Sequence, residues 1–393
     1  MTTTRPVSAM LLLMTFLGVF PLDVILPSVP SLAGQFETDT QPITAGIGLF
    51  AVAVALAQLI IGPASDRYGR KPLFLACLAV GIIGALGCSF ATSLTAFHGW
   101  RAVQAIGCAG FVLAHALVQD LFTGAQRTRQ RIGLSAASGV FISVSPLFGV
   151  VLQQHMGWEG SFYGFTAVAL VTGLLAARAL PATPKSLRHH GAPARRQPPD
   201  WPAFLCASSV VMLAFASHFS FVVLSPLIFM DTLALSPNAY GLLMLAYGGT
   251  YLIGGVLAHQ VAQRVTGGTQ MRLGLGLIIA ASVIMGSLHA LLGFSATTVL
   301  AGACVLTCGI ALARPAATNA AMNALPERAG AAAAGLNTIT FVGGGLVSFA
   351  LTLAADQITW LLPTALLAMG AAGLGICALP VPRPITATTP APE

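Results

Sequence analysis

The sequence predicts an all-α membrane protein in which twelve transmembrane helices form two pseudo-symmetric six-helix halves. Three observations carry this. Of the 393 residues 56% are hydrophobic and 42 more are glycine, an apolar share of about two thirds against roughly 45–50% in soluble domains. Only 7% are charged, whereas a soluble chain of this length carries about 100 charged residues. Apolar runs also recur twelve times near the roughly 20 residues that a bilayer crossing needs. A soluble globule is excluded.

Runs punctuated by proline, glycine and charge predict helices over 8–30, 43–64, 72–92, 95–118, 132–152, 161–180, 201–228, 239–262, 270–293, 296–318, 330–353 and 358–380. The first follows Arg5 and imitates a secretion signal, but eleven more spans follow and no small-x-small cleavage site is convincing, so it is read as the first helix. The longest polar segment, 181–200, is PATPKSLRHHGAPARRQPPD. Its prolines and bases carry no helical or strand period, so it reads as a linker between a half at 1–180 and a half at 201–393.

Charge sets the orientation. If both termini are cytosolic, Arg5, Arg67, Arg70, Lys71, Arg127 and Arg272 fall in cytosolic loops with most other bases, while Glu37, Asp39, Glu159, Asp231 and Asp356 share the opposite loops without a single Lys or Arg. Such segregation is the topology signal of multi-pass proteins. It removes a nucleic-acid reading of the net charge of +7, because the bases are spread over loops and form no binding face. Trp100, Trp158, Trp201 and Trp360 fall near span ends, as interfacial anchors do. The seven cysteines lie in apolar stretches and read as small hydrophobes, with no metal site. No GxxxxGK[ST] phosphate loop and no cytosolic segment large enough for a nucleotide-binding domain is present, which disfavours a primary pump. Two six-helix halves around a midplane site is a secondary-transporter layout.

Asp23 lies within the first span, roughly 12 Å below its outer end at 1.5 Å per residue. A carboxyl there costs about 2.5–3.5 kcal/mol on insertion scales unless it meets a polar cavity or partner. Proton binding is one reading, an interhelical hydrogen bond the other. Arg101, in the fourth span at a depth of roughly 9 Å, is a candidate partner for Asp23; a guanidinium snorkelling to headgroups is the alternative. On that helix Arg101, Gln104, Cys108, Phe111, His115 and Gln119 recur at spacings of 3 and 4 and form one stripe. Gln104 and His115 are thus candidate cavity residues, with a structural histidine equally compatible at 115. His218, with Ser220 and Ser225 in the seventh span, is open between substrate contact and packing. Tyr251 and Asn319 face either substrate or a neighbouring helix.

Between the second and third spans stands Gly62-Pro63-Ala64-Ser65-Asp66-Arg67-Tyr68-Gly69-Arg70-Lys71-Pro72. It resembles the signature GxLaDrxGrkxxl of the major facilitator superfamily, with Ala64 in place of the usual Leu. The resemblance implies a conformational latch of Gly62, Asp66, Arg67, Gly69, Arg70 and Lys71, in which Asp66 engages the positive N-terminal end of the eleventh helix. Asp23-Val24-Ile25-Leu26-Pro27-Ser28-Val29-Pro30 is similar to the D-x-x-x-P-x-x-P of twelve-span drug/proton antiporters, and Arg101-Ala102-Val103-Gln104-Ala105-Ile106-Gly107 to their RxxQaxG segment. Ser145-Pro146-Leu147-Phe148-Gly149 resembles the antiporters' proline/glycine hinge, which implies Pro146 and Gly149 as hinge residues, although Ser145 and Val150 replace glycines of the broader pattern. Within the antiporters the chain is similar to Bcr/CflA-like efflux proteins. Where many relatives carry two further arginines, as in A-R-x-x-V-R-D, this chain has His115 and Gln119.

The resemblance implies a bacterial inner-membrane transporter, not an enzyme. It would export a drug such as a phenicol in exchange for protons, with Asp23 and Arg101 in proton coupling and no cofactor. The missing arginines leave open an endogenous metabolite such as a siderophore or metallophore; a proton-coupled nutrient importer fits the fifth helix less well. The implied partners are a small-molecule substrate, protons and the lipid bilayer, with the protein acting as a monomer.

Overall fold

The computed structural model describes residues 4–180, 199–325 and 329–379. Twelve helices are long and apolar enough to cross a membrane: α1 (Pro6–Gln35), α2 (Thr40–Tyr68), α3 (Arg70–Ser89), α4 (Leu94–Leu121), α5 (Gly124–Met156), α6 (Gly160–Ala179), α7 (Trp201–Thr232), α8 (Pro237–Ala262), α9 (Gly267–Leu292), α10 (Ala296–Ala324), α11 (Ala329–Leu353) and α12 (Ile358–Ala378). They match the twelve expected spans. α2, α5 and α10 run several residues further than apolarity predicts, because a helix keeps its own hydrogen bonds beyond the lipid. Residues 181–198, nearly all of the expected linker, lie outside the described residues.

Local chemistry places the helix ends. Ser93, Asp200, Ser236, Thr266 and Ser295 cap α4, α7, α8, α9 and α10 through side-chain oxygens that accept backbone N–H groups, which fills donors left open in the first turn. Between α2 and α3 a single residue, Gly69, reverses the chain at φ +97°, a conformation in which a side chain is strained. The loops fall on two faces. The one bearing Arg67, Arg70, Lys71 and Arg264 is called the basic face, and the one bearing Glu37, Asp39, Glu159 and Asp231 the acidic face.

The interior is built from every third helix. The apolar windows of α7, α4, α10 and α1 are 89%, 65%, 61% and 56% buried, whereas no other span exceeds 44%. Both halves therefore turn the first and fourth helix of their six inward, the pseudo-symmetry expected. Close approaches repeat with it: a Cβ on Gly107 of α4 would stand 2.2 Å from the backbone of Gly81 on α3, and one on Gly274 of α9 would stand 2.5 Å from the backbone of α10. Small residues let helices pack this tightly in lipid, where apolar burial alone supplies little attraction. Trp158, expected at the interface, is instead buried among Phe36, Phe97 and Phe162, because the short α5–α6 connection folds it under the α1 end. Trp100, Trp201 and Trp360 are exposed at span ends as expected.

The halves are joined at the acidic face. Thr40 Oγ1 donates to Asp231 Oδ2 (2.7 Å), Gln41 Nε2 to the carbonyls of Thr352 (2.8 Å) and Leu353 (3.1 Å), and Gln154 Nε2 to Asn238 Oδ1 (2.7 Å). Below them α2 passes α11 with Gly48 against the Gly345 carbonyl. Among the described residues no ion pair joins the halves at the basic face. The space between the halves is thus closed at the acidic end. Replacing both Asp231 and Gln41 by Ala removes three hydrogen bonds of this seam, one to a charged acceptor worth roughly 1.5–3 kcal/mol. The expected result is a longer electron–electron distance between spin labels at Glu37→Cys and Ala234→Cys, as acidic-face-open molecules accumulate.

Candidate functional site

Asp23 sits where α1 breaks. The α-helix stops at Asp23, a 3-10 turn spans Leu26–Ser28, and the helix resumes at Val29. The cause is in the D-x-x-x-P spacing. Pro27 has no N–H for the carbonyl four residues back, which is that of Asp23, and its ring crowds that carbonyl. Discontinuous spans with exposed backbone polar groups are a device of transporter sites.

The broken backbone is partnered by its neighbours. Ser161 Oγ on α6 donates to the Val24 carbonyl at 3.2 Å, and α5 approaches so closely at Gly149 that a Cβ there would stand 2.2 Å from the same oxygen. Pro146 and Gly149, expected as a hinge, lie within an α5 that is one continuous helix from Gly124 to Met156. In this structure Gly149 is the gap that admits the α1 break.

Asp23 and Arg101 are both buried, yet the expected ion pair between them is not formed. Arg101 spends its fork elsewhere: Nη1 donates to Gln104 Oε1 (2.7 Å) and Nη2 to the Pro21 carbonyl (3.1 Å), while the guanidinium carbon lies 3.8 Å from the centre of the Phe50 ring. The carbonyl of Pro21 is in the last helical turn before the break, so Arg101 ties α4 to α1 two residues from Asp23. Gln104, expected to line a cavity, is 1% exposed and holds the guanidinium. It is a positioning residue here, because a buried charge needs its donors occupied. Among the described residues no protein group hydrogen-bonds the Asp23 carboxyl, which lies within electrostatic reach of Tyr240 and Tyr247 on α8.

The opposite half presents an aromatic polar group. His218 Nδ1 and the Tyr247 hydroxyl are hydrogen-bonded at 2.7 Å with their rings stacked, and the Tyr251 ring lies 6.0 Å from the His218 ring. Ser225 and Tyr240 bond at 2.9 Å beside Pro226, where α7 passes into a π-helical turn, a distortion found mostly at functional sites. Asn319 is exposed near the basic end of α10. α4 also changes to 3-10 geometry at Ala109–Val112, between Arg101 and His115. The side chain of His115 lies outside the described residues.

At the basic face the 62–71 segment, the end of α2 and the start of α3, keeps to its own half. Arg70 pairs with Asp66 (2.7 Å) and Asp120 (3.1 Å) and reaches Ser65, and Lys71 Nζ caps α6 through the carbonyls of Ala177 (2.7 Å) and Leu180 (2.8 Å). Asp66 is 68% exposed, and its pairing is with Arg70. Residues 326–328, just before α11, lie outside the described residues. Asp120, which sequence reasoning did not single out, is the α4 partner of this segment.

A second omission is Arg314 of α10. A lone arginine 18 residues into an apolar span is its sequence signal, and charge segregation between loops does not account for it. With it, each inner helix carries at least one ionisable residue within its span: Asp23 on α1, Arg101 on α4, His218 on α7 and Arg314 on α10.

Known proteins share this architecture. Residues 11–349 match the Major Facilitator Superfamily. The chain is similar to the multidrug resistance protein MdtL of Salmonella heidelberg (strain SL476), 23% identical over 338 residues covering 83% of this chain and 82% of that protein. It is also similar to a chloramphenicol resistance protein of Pseudomonas aeruginosa, 25% identical over 343 residues covering 83% and 78%. The fold is that of the crystal structure of a D-xylose–proton symporter, at a TM-score of 0.77 and 14% identity, over 95% of this chain and 97% of that one. With the family match spanning most of its length, and twelve helices in two six-helix halves behind it, the chain belongs to the major facilitator superfamily.

Proposed function

We propose that this chain is a proton-coupled exporter of small organic compounds, of which phenicols are the first to test, in the inner membrane of a bacterium. The basic face is cytosolic, by the segregation of Lys and Arg, and both termini lie on that side. The observation that carries the reading is Asp23: a buried carboxyl without a hydrogen-bond partner among the described residues, at a broken helix between the two halves. Such a group exchanges protons with whichever side the halves open to. The arrangement with a joined acidic face receives substrate from the cytosol, and rocking the halves about the centre exposes it to the other side. The names of the similar proteins, one for multidrug and one for chloramphenicol resistance, support a drug as cargo.

In this cycle Asp23 takes a proton from the outside and gives it to the cytosol. Arg101, through Pro21 and Gln104, holds the α1 break in place. When the basic face closes, Asp66 would leave Arg70 for the start of α11 and latch the halves. His218, Tyr251, His115 and Asn319 are assigned to the substrate space. The test uses everted vesicles energised to an acidic lumen, with a pH dye reporting proton escape as chloramphenicol is added. Chloramphenicol-dependent dequenching is the expected result. Its absence with phenicols and cationic drugs alike, together with no drug sensitivity of a deletion strain, refutes drug export.

A further inference from the structure

We propose that Arg314 is an anion-binding residue of the substrate space, and that the compounds this transporter handles best carry a carboxylate or similar acid on an aromatic body. The inference rests on the transport reading above and names the substrate class of that same site.

The argument begins with where the charge is. Arg314 lies about 27 Å of helical rise from the acidic end of α10 and, since the apolar run ends near 318, about 6 Å from the lipid edge on the basic side. A guanidinium does not lose its proton in a protein, so the cost of holding it at that depth is met by partners or by water. It is not turned to lipid. Its carbon stands 5.4 Å from the centre of the Phe215 ring on α7, the most buried helix of the molecule, and it lies within electrostatic reach of His218 on the same helix. The half-buried Arg314 side chain thus rests on α7 on the side of His218, whose partner Tyr247 is within electrostatic reach of Asp23 in the other half.

The second step is the inventory of countercharge. Of the acidic residues whose side chains are described, Glu37, Asp39, Glu159 and Asp231 are at the acidic face, Asp66 and Asp120 pair with Arg70, and Asp200 caps α7. Asp23, in the other half, makes no ion pair. No protein hydrogen-bond acceptor or carboxylate therefore engages Arg314 among the described residues; its contact is an aromatic face. The other intramembrane arginine is the internal control. Arg101 is 5% exposed, its fork is occupied by Gln104 and Pro21, and it lies against Phe50. One arginine is built in; the other is left with open donors.

The third step is what fits. A planar fork with free donors matches a carboxylate in two parallel hydrogen bonds. Beyond His218 the half-buried Tyr251 offers a ring for an aromatic body, while Phe215, itself buried and stacked on Phe219, supports the guanidinium. A cationic drug would meet the guanidinium as a like charge.

The test is binding to the full chain in discs of phosphatidylcholine alone, which keeps anionic headgroups out of competition. The probes are naphthoate and its uncharged isostere naphthamide. Wild type is expected to bind naphthoate about tenfold tighter, the scale of one charge-assisted pair partly open to water. Arg314→Gln should abolish the preference, and Arg314→Lys should keep a weaker one, since the point charge remains without the fork. Equal affinity for the two probes in wild type, or no binding of either, overturns the proposal whatever the variants do. So does a preference that survives in Arg314→Gln. Proton-linked chloramphenicol efflux by wild-type vesicles tests the transport reading separately: efflux without any preference for naphthoate leaves that reading standing and removes this one.

Discussion

Asp23→Asn is expected to reduce chloramphenicol-driven proton release from everted vesicles to the level of protein-free vesicles. The substitution keeps size and polarity and removes the titratable group. Because no protein group among the described residues bonds to the carboxyl, the amide breaks no ion pair there and leaves no stranded charge, so folding and drug binding should persist. Exchange of labelled for unlabelled chloramphenicol, which needs no net proton movement, is the measurement that separates the outcomes. Exchange retained with coupling lost supports Asp23 as the proton carrier. Loss of both would make Asp23 a structural residue, and coupling retained would move the proton elsewhere.

Gly149→Ala should be strongly damaging. The new Cβ would meet the Val24 carbonyl oxygen at 2.2 Å and its carbon at 3.0 Å. These are backbone atoms at a helix break, held by Ser161 and followed by Pro27, so they cannot rotate away as a side chain would. Overpacking of this kind costs roughly 1–3 kcal/mol, and the clash pushes α5 off the segment that positions Asp23. Lower thermal stability in detergent and loss of efflux are both expected. Gly133, on the same helix, lies in open space, where an added methyl would meet nothing within 4 Å. There Ala should be neutral or stabilising by up to about 1 kcal/mol, the helix-propensity difference. Equal behaviour of the two variants would contradict the close approach.

How far each residue was readable depends on its kind of interaction. The twelve spans were legible because lipid makes helix, length and apolarity one requirement. The α1 break was legible in part: Pro27 and Pro30 announce a distortion, but not which carbonyls it frees or that Ser161 and Gly149 attend to one of them. Equal depth suggested that Asp23 and Arg101 pair. Depth, however, is one coordinate; rotation about each helix axis and the reach of the guanidinium sent Arg101 to Pro21 and Gln104 instead. The stripe on α4 put Gln104 on a polar face without saying whether that face meets water or another side chain. Arg314 went unseen because the charge count was matched against loops, and a single base in an apolar run adds little to that pattern.

By itself the sequence determined the solvent of this chain, the number and order of its helices, the two families of loops, and the identity of the chemically expensive residues. Each of these follows from local composition and from the cost of placing polar groups in hydrocarbon. Only the tertiary structure decided which of those residues are satisfied and which are left open. It showed α1, α4, α7 and α10 as the inner helices, Arg101 bonded to Gln104 and Pro21, Arg314 lying on Phe215, and the halves joined at the acidic face. The reason is physical: a partner is a matter of distance and direction between side chains from helices far apart in sequence, and nothing in the local pattern of either helix contains it.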